Sequence, residues 1–406
     1  MAAGAPARTY YAHVEGLRGV AALYVFLYHL WQTAVSQPGA ILVGLRGVTG
    51  FLQYGHFAVV AFIVISGYCL GLPVAAHPER TFVPRAFALR RARRLMPAYV
   101  AALALSIVLV YITAALRGHH IPAWHVALGV IAHLALVHNL IPVFSEYLNG
   151  PMWSIALECQ IYVVFALLLV PVWRRFGPLA QLALALALGL APHFLLHGFL
   201  DGTSPWLLGL FGMGVVAAQY TTRAVVTLPW RWISVATAVL AVIAIAMHGE
   251  GTPDGAFWWA DVVVGAAVAA FFVASSGMRA PLAAQMLSLR PIVILGAFSY
   301  SLYLVHGPIV ELAGTAMLRA HAGSVVAAVA YGLLIPLMLA VAYGFYLVWE
   351  RPFLSPALRA AIDAETHAPT TPHPLTIVTV LDDAQAAGEQ TVVDLTPVEP
   401  AVAGVT

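Results

Sequence analysis

The sequence predicts an all-α fold, a polytopic bundle of membrane-spanning helices, on three observations. Of its 406 residues 62% are hydrophobic and only 9% charged, with a mean hydropathy of +0.89; a soluble domain carries about 25% charged residues. Its apolar runs are about 18–22 residues long, the length at which a helix crosses a bilayer. The runs do not alternate polar with apolar residues. They therefore read as helices rather than barrel strands, the two ways a backbone satisfies itself in lipid.

The first span, 14–35, lies within YAHVEGLRGVAALYVFLYHLW (11–31), with Arg18 near its start and His29 deep inside. Eleven positions at 1.5 Å rise separate the two by about 16 Å along the axis. An ionisable side chain at membrane depth is a candidate functional group. Arg18 reads as an interfacial anchor or as an anion ligand at the cytoplasmic mouth. His29 reads as a hydrogen-bonding partner of a neighbouring helix or as a general base, since its pKa can sit near neutrality. Their separation suits a ligand with a charged head and a long thin arm. No cleaved secretory signal is expected, because this first apolar run is too long and contains His29.

The second span, 56–75, contains FIVISGYCL (62–70), whose Ser66-Gly67 pair reads as a close-packing point. Cys69 here and Cys159 further on fall inside apolar segments and read as small buried apolar side chains. Next comes FVPRAFALRRARRLMPAY (82–99). All nineteen basic residues of the chain are arginine, and six of them crowd into residues 80–94. One reading is a positive-inside marker that makes this loop, and so the N-terminus, cytoplasmic. The other is a phosphate site, for which Arg90, Arg91, Arg93 and Arg94 offer adjacent helix faces, or a less specific grip on anionic lipid heads.

Further candidate spans are 98–116, 125–141, 153–172, 178–197, 205–220, 231–248, 257–275, 292–313 and 323–348, which brings the count to eleven. Arg174 and Arg175, then Arg223 and Arg231, Arg279 and Arg290, and finally Arg351 and Arg359 put the C-terminus on the cytoplasmic side as well. An even number of spans is then required. Segment 125–141 holds His125, His133, His138 and Asn139 with Pro122 and Pro142 near its ends, and is the weakest candidate. It is expected to be re-entrant or interfacial, leaving about ten true spans.

Two later stretches carry polar side chains at helical spacing. In GPMWSIALECQIYVVF (150–165), Ser154 and Glu158 share one face at i, i+4. Glu158 could orient an imidazole, contact a sugar hydroxyl, or form a structural pair with an arginine. In LGAFSYSLYLVHGP (295–308), Ser299, Tyr303 and His306 form a polar stripe at i, i+4, i+7. That stripe reads as interhelical glue or as part of a site. WERP (349–352) reads as a charged stop at the last span. From about residue 360 the composition changes to seven acidic residues, no Lys or Arg, and many Pro, Thr and Ala. Residues 1–353 are thus expected to form one membrane domain and 360–406 a disordered acidic tail.

Taken together, EGLRGVAALYVFLYH (15–29), FIVISGYCL (62–70), RRARRLMP (90–97), WSIALECQIY (153–162), LGAFSYSLYLVH (295–306) and WERP resemble the membrane acyltransferase 3 family. This family includes bacterial O-antigen acetylases and macrolide acyltransferases. The pieces occur in the family's order and span most of residues 10–353. Where the family usually has a Glu-Glu-Gln-Phe-Tyr-like string, this chain has Glu-Cys-Gln-Ile-Tyr and keeps the key acid.

The resemblance implies a ten-helix core in the bacterial cytoplasmic (inner) membrane that takes an acyl group, by default acetyl, from cytoplasmic acyl-CoA. The acceptor is a hydroxyl of a carbohydrate or a glycosylated small molecule, and no metal is implied. Carried over to this chain, His29 and Glu158 are the catalytic residues, and Arg18, Arg90, Arg93 and Arg94 bind the donor's phosphates. Ser154, Ser299, Tyr303 and His306 are candidates for contact with substrate or oxyanion. The expected partners are the acceptor and membrane lipids, not nucleic acid. A secondary transporter with polar midplane residues is the rival reading, but the repeated halves it predicts are not seen in the sequence. An anionic-lipid-binding scaffold would explain the arginines and leave His29 and Glu158 idle.

Overall fold

The computed structural model describes residues 7–10, 12–36, 46–222, 228–248, 258–276, 281–367 and 378–381. Arg223 and Arg279, part of the orientation argument, lie outside them, as does most of the acidic tail. The fold is a helix bundle. Its principal helices are α1 (Ala12–Val35), α2 (His56–Ala76), α3 (Pro84–Arg117), α4 (Ala123–Leu134) and α5 (Trp153–Val164). They continue with α6 (Pro178–Leu195), α7 (Leu207–Thr222), α8 (Trp230–His248) and α9 (Trp258–Ser275). The last four are α10 (Arg290–Ala297), α11 (Ser299–Arg319), α12 (Ser324–Phe345) and α13 (Pro356–His367). Strand β1 (Ala7–Tyr10) pairs antiparallel with β2 (Val378–Leu381).

Among the described residues, eight helical stretches are long and apolar enough to cross a membrane. Two more helices pack among them inside the bundle. One is α1, whose 24 residues include the charged Glu15 and Arg18. The other is α7, whose 16 residues rise only about 24 Å. The segment expected to be re-entrant forms α4, of 12 residues, too short to span. It ends at Leu136 in the left-handed region (φ 57°) and turns back through His138 and Asn139. Its polar side chains face inward. His133 and His138 are buried and stacked at 3.8 Å, and Gln160 of α5 donates to the Leu136 carbonyl (2.9 Å) and to Asn139 Oδ1 (2.8 Å).

The single span expected at 292–313 is two helices, because the chain breaks at Phe298 between α10 and α11. The break exposes the amides at the start of α11, which no turn of its own can satisfy. Glu350 supplies the acceptor from the far end of the chain: its Oε2 takes the Ser301 N–H (3.2 Å) and the Ser301 hydroxyl (2.6 Å). A π-helical turn, Tyr346–Glu350, continues α12 and turns Glu350 inward, 3% exposed, while Trp349 beside it is 45% exposed. At the other end of α3, Gly118 (φ 71°) closes the helix in a Schellman arrangement, with His119 N–H on Ala114 O (2.9 Å).

Two buried clusters share the interior. One gathers residues of α1, α3, α11 and α12, the other residues of α2, α5, α7 and α9. Small residues let backbones touch where the central helices cross, as is usual in membranes. A Cβ on Gly16 would lie 1.9 Å from the carbonyl oxygen of Leu287, just ahead of α10, and one on Gly296 would lie 2.0 Å from the Glu15 oxygen. Between α2 and α7, a Cβ on Gly67 would meet Phe211 O at 2.0 Å and one on Gly214 would meet Val64 O at 2.1 Å. The close-packing point read at Ser66-Gly67 is therefore a backbone contact.

Gly214→Leu must push two helices apart and is expected to cost about 1–3 kcal/mol or more. It should lower the apparent melting temperature and folded yield of the purified protein. Gly332→Leu, where nothing lies within 4 Å of the added Cβ, should leave both unchanged. Equal melting of the two variants would contradict the tight crossing.

Candidate functional site

A cavity of about 510 Å³ opens between the two buried clusters, at the end of the bundle where the arginines collect. Its wall is basic. Arg18, Arg80, Arg90, Arg91, Arg94 and Arg174 line it, against three carboxylates, Glu15, Glu158 and Glu350. The phase of α3 decides which arginines take part. At about 100° per residue, Arg90 and Arg94 lie about 40° apart, with Arg91 about 60° beyond Arg94 on one flank and Arg93 about 60° beyond Arg90 on the opposite flank; the cavity takes the first flank. Arg93 does not line the cavity; it lies on an outer groove with Met96, Pro97 and Trp349.

Arg18 reaches the cavity from the start of α1 and is held by Glu15 one turn earlier (Nη1 to Oε1, 2.7 Å). A guanidinium has five N–H donors, so this contact leaves others for a ligand. From α5, Glu158 accepts the hydroxyl proton of Tyr162 (2.6 Å). Since that proton is spent, Ser66 donates to Tyr162 Oη (3.0 Å). The chain Ser66–Tyr162–Glu158 fixes the acid against the cavity wall. Ser66 and Tyr162 had no role in the sequence reading. The signal was present, for Tyr162 follows Glu158 at i, i+4 and so shares its face.

The inner end of the cavity is closed by α11 and the start of α5. Ser299, Tyr300 and Tyr303 line it along with Ser154 and Phe62. The Ser154 hydroxyl donates to the Pro151 carbonyl (3.2 Å), so Tyr303 Oη donates to Ser154 (2.7 Å). Tyr303 also stands edge-on to Phe62 (5.7 Å) and to His306 (5.8 Å). Beyond it lies the histidine pair, His29 and His306, with ring centroids 5.2 Å apart. Neither lines the arginine cavity.

His306 is fully buried. Its Nδ1 faces the Leu302 carbonyl at 3.1 Å, an acceptor only, so Nδ1 carries the proton. Its Nε2 is then a lone pair with no hydrogen-bond partner among the described residues. His29 is half-buried and packs on Tyr28 (4.9 Å) as well as His306. Seven candidates from the sequence thus meet at one cavity: Arg18, Arg90, Arg94, Ser154, Glu158, Ser299 and Tyr303. His29 and His306 sit one aromatic layer behind it. Glu350, which looked like a mere stop signal, lines the cavity while capping α11. Leu354, Leu358 and Ile362, on α13 and the turn before it, also line the cavity. This helix runs across residue 360, where the sequence puts the start of the tail. Cys69 and Cys159 are free thiols, and no group of three or more metal-ligating side chains occurs among the described residues.

Removing the acceptor's partner tests the cap. Ser301→Ala leaves the buried Glu350 carboxylate short of a hydrogen bond, at a cost of about 1–3 kcal/mol. The apparent melting temperature of Ser301→Ala should fall while that of Ser301→Thr, which keeps the hydroxyl, stays near wild type.

Against known proteins, a family model described as an acyltransferase domain, acyltransferase 3, matches residues 11–347. Among curated proteins, the chain is similar to O-acetyltransferase OatA of Staphylococcus aureus, from strains NCTC 8325 / PS 47, COL and MRSA252. Each is 23% identical over 329 residues, covering 74% of this chain and 51% of the relative. The chain therefore spans about half the length of the curated relatives it matches. No solved structure matches it significantly.

Proposed function

The chain belongs to the acyltransferase 3 family and is a membrane acyltransferase, and from that premise we propose that it moves an acyl group, by default acetyl, from cytoplasmic acyl-CoA to a hydroxyl of a carbohydrate or glycosylated small molecule. The observation that carries this reading is the basic cavity whose closed inner end stops one aromatic layer short of His29. Arg90, Arg94 and Arg18, joined by Arg91, hold the donor's phosphates at the outer end. Guanidinium groups suit phosphates because they donate bidentately. The pantetheine arm then runs along α1, over a rise of about 16 Å between Arg18 and His29, and carries its thioester to Tyr303.

His29 takes the proton of the acceptor hydroxyl as the oxygen attacks the thioester carbonyl. The C–O bond forms, the carbonyl electrons move onto oxygen, and the tetrahedral intermediate collapses with loss of the thiolate. The proton on His29 passes to that sulfur, which leaves as CoA–SH. Tyr303, turning its hydroxyl from Ser154, donates to the developing oxyanion. His306 donates its only N–H to the Leu302 carbonyl, so it has no proton for the oxyanion; it packs its ring against His29. Glu158, held by Tyr162, faces the donor and sets the charge balance of the cavity. The acceptor approaches His29 from outside the arginine cavity, which this half-buried residue does not line.

Purified protein incubated with radiolabelled acetyl-CoA and hydroxyl acceptors tests the reading. His29→Ala should slow transfer by about 10²–10⁴-fold, the worth of a general base. Transfer as fast as wild type would remove His29 from the chemistry. Arg90→Gln and Arg94→Gln should each weaken acetyl-CoA binding about 10- to 100-fold, the loss of one charged hydrogen bond. Unchanged affinity would remove the phosphate role. Movement of label across sealed vesicles with the thioester intact would favour the transporter.

A further inference from the structure

Arg93 stands apart from the arginines of the cavity, and its surroundings differ from theirs. It is exposed and makes no hydrogen bond or ion pair with any described residue. Below it on the outer face of the bundle runs a groove walled on one side by α3, through Met96, Pro97, Val100 and Ala104, and on the other by Phe345 and Trp349. The groove contains no carboxylate, so nothing within it offsets the charge at its head.

The groove has two structural causes. On α3, proline and alanine at positions 97, 101 and 104 leave the helix surface low. Opposite, the π-helical turn Tyr346–Glu350 swings Trp349 outward as it turns Glu350 in. An indole at that level is typical of the membrane–water interface. From Arg93 to Leu105, the deepest groove residue on α3, twelve positions rise about 18 Å. One leaflet of a hydrocarbon core about 30 Å thick is about 15 Å deep. The groove therefore has the depth of a single lipid chain, with a cation where that lipid's phosphate would lie.

We propose that this groove binds an anionic phospholipid, one acyl chain lying between α3 and the turn after α12 and the headgroup phosphate meeting Arg93. Charge complementarity selects the occupant: a zwitterionic lipid would bring its own cation to the same arginine. The site is separate from the donor cavity, and Arg93 is not one of the donor's ligands.

The test uses the full-length protein in nanodiscs containing equal amounts of phosphatidylglycerol and phosphatidylcholine, with co-purifying lipid counted by native mass spectrometry. Wild type should retain phosphatidylglycerol with about five-fold preference, the value of one arginine at an anionic surface. Arg93→Gln should bring the preference close to one, and Ala104→Phe, which fills the groove, should expel the bound lipid. Arg85→Gln, an exposed arginine outside the groove, should retain the wild-type preference. Retention of the preference in Arg93→Gln would overturn the proposal, as would equal retention of both lipids by wild type. Displacement of the lipid by inorganic phosphate at millimolar concentration would point to a free anion instead and also overturn it. Acetyl-CoA affinity, measured on the same variants, should be unchanged in Arg93→Gln; a loss would return Arg93 to the donor site and overturn the separation.

Discussion

The backbone contact between α1 and the α10 region governs this molecule. With Gly16, Gly19 and Gly296 removing the side chains from the crossing, the two backbones come within van der Waals reach. In lipid there is no hydrophobic drive to bring helices together, so close packing of small residues does that work. The contact fixes the rotation of α1, and a helix has only one rotation to give. Once Gly16 and Gly19 face α10, Arg18 and Glu15 face the cavity, and Phe26 and His29 face α11. One steric requirement thus sets the direction of both Arg18 and His29, eleven positions apart.

The same crossing explains the break at Phe298. With the break, the chain both touches α1 at Gly296 and packs Leu302 and Val305 into the core. The break leaves free amides, and Glu350 meets them. A carboxyl oxygen at a helix N-terminus also complements the helix dipole, and Glu350 makes that contact at 3% exposure. The result is a closed mechanical loop: α1 positions α10, α10 forces the start of α11, and the end of the last span secures that start.

Much of this was legible in the sequence, and the exceptions share one cause. Span length and composition suffice to find the bundle, because lipid imposes length directly. Arg18, Glu158 and Tyr303 stand out as polar side chains in apolar helices, Arg90 and Arg94 as part of a basic run, and all five line the cavity. What could not be read was helix phase and tertiary partnership. Arg93 looks like its neighbours on paper, and only the rotation of α3 turns it outward. Glu350 looks like a helix stop, since its partner Ser301 lies 49 positions away. Ser66 looks like packing because its hydrogen bond depends on the crossing of α2 and α5. The aromatic layer between His29 and the cavity is likewise a property of three helices together.

That layer bears most directly on the chemistry. Tyr303 belongs to the cavity by its hydroxyl and to the histidine pair by its ring edge. In the proposed transfer, a thioester bound at the arginines would have to pass Tyr303 to meet an acceptor at His29. The hydrogen bond from Tyr303 to Ser154 is the contact that would then have to open. A single neutral hydrogen bond contributes only about 0.5–1.5 kcal/mol net, so opening it is energetically accessible. The hydroxyl it releases is a donor at the place where a carbonyl oxygen would arrive. Separation of the basic cavity from the histidines thus follows from the same residue that would join them.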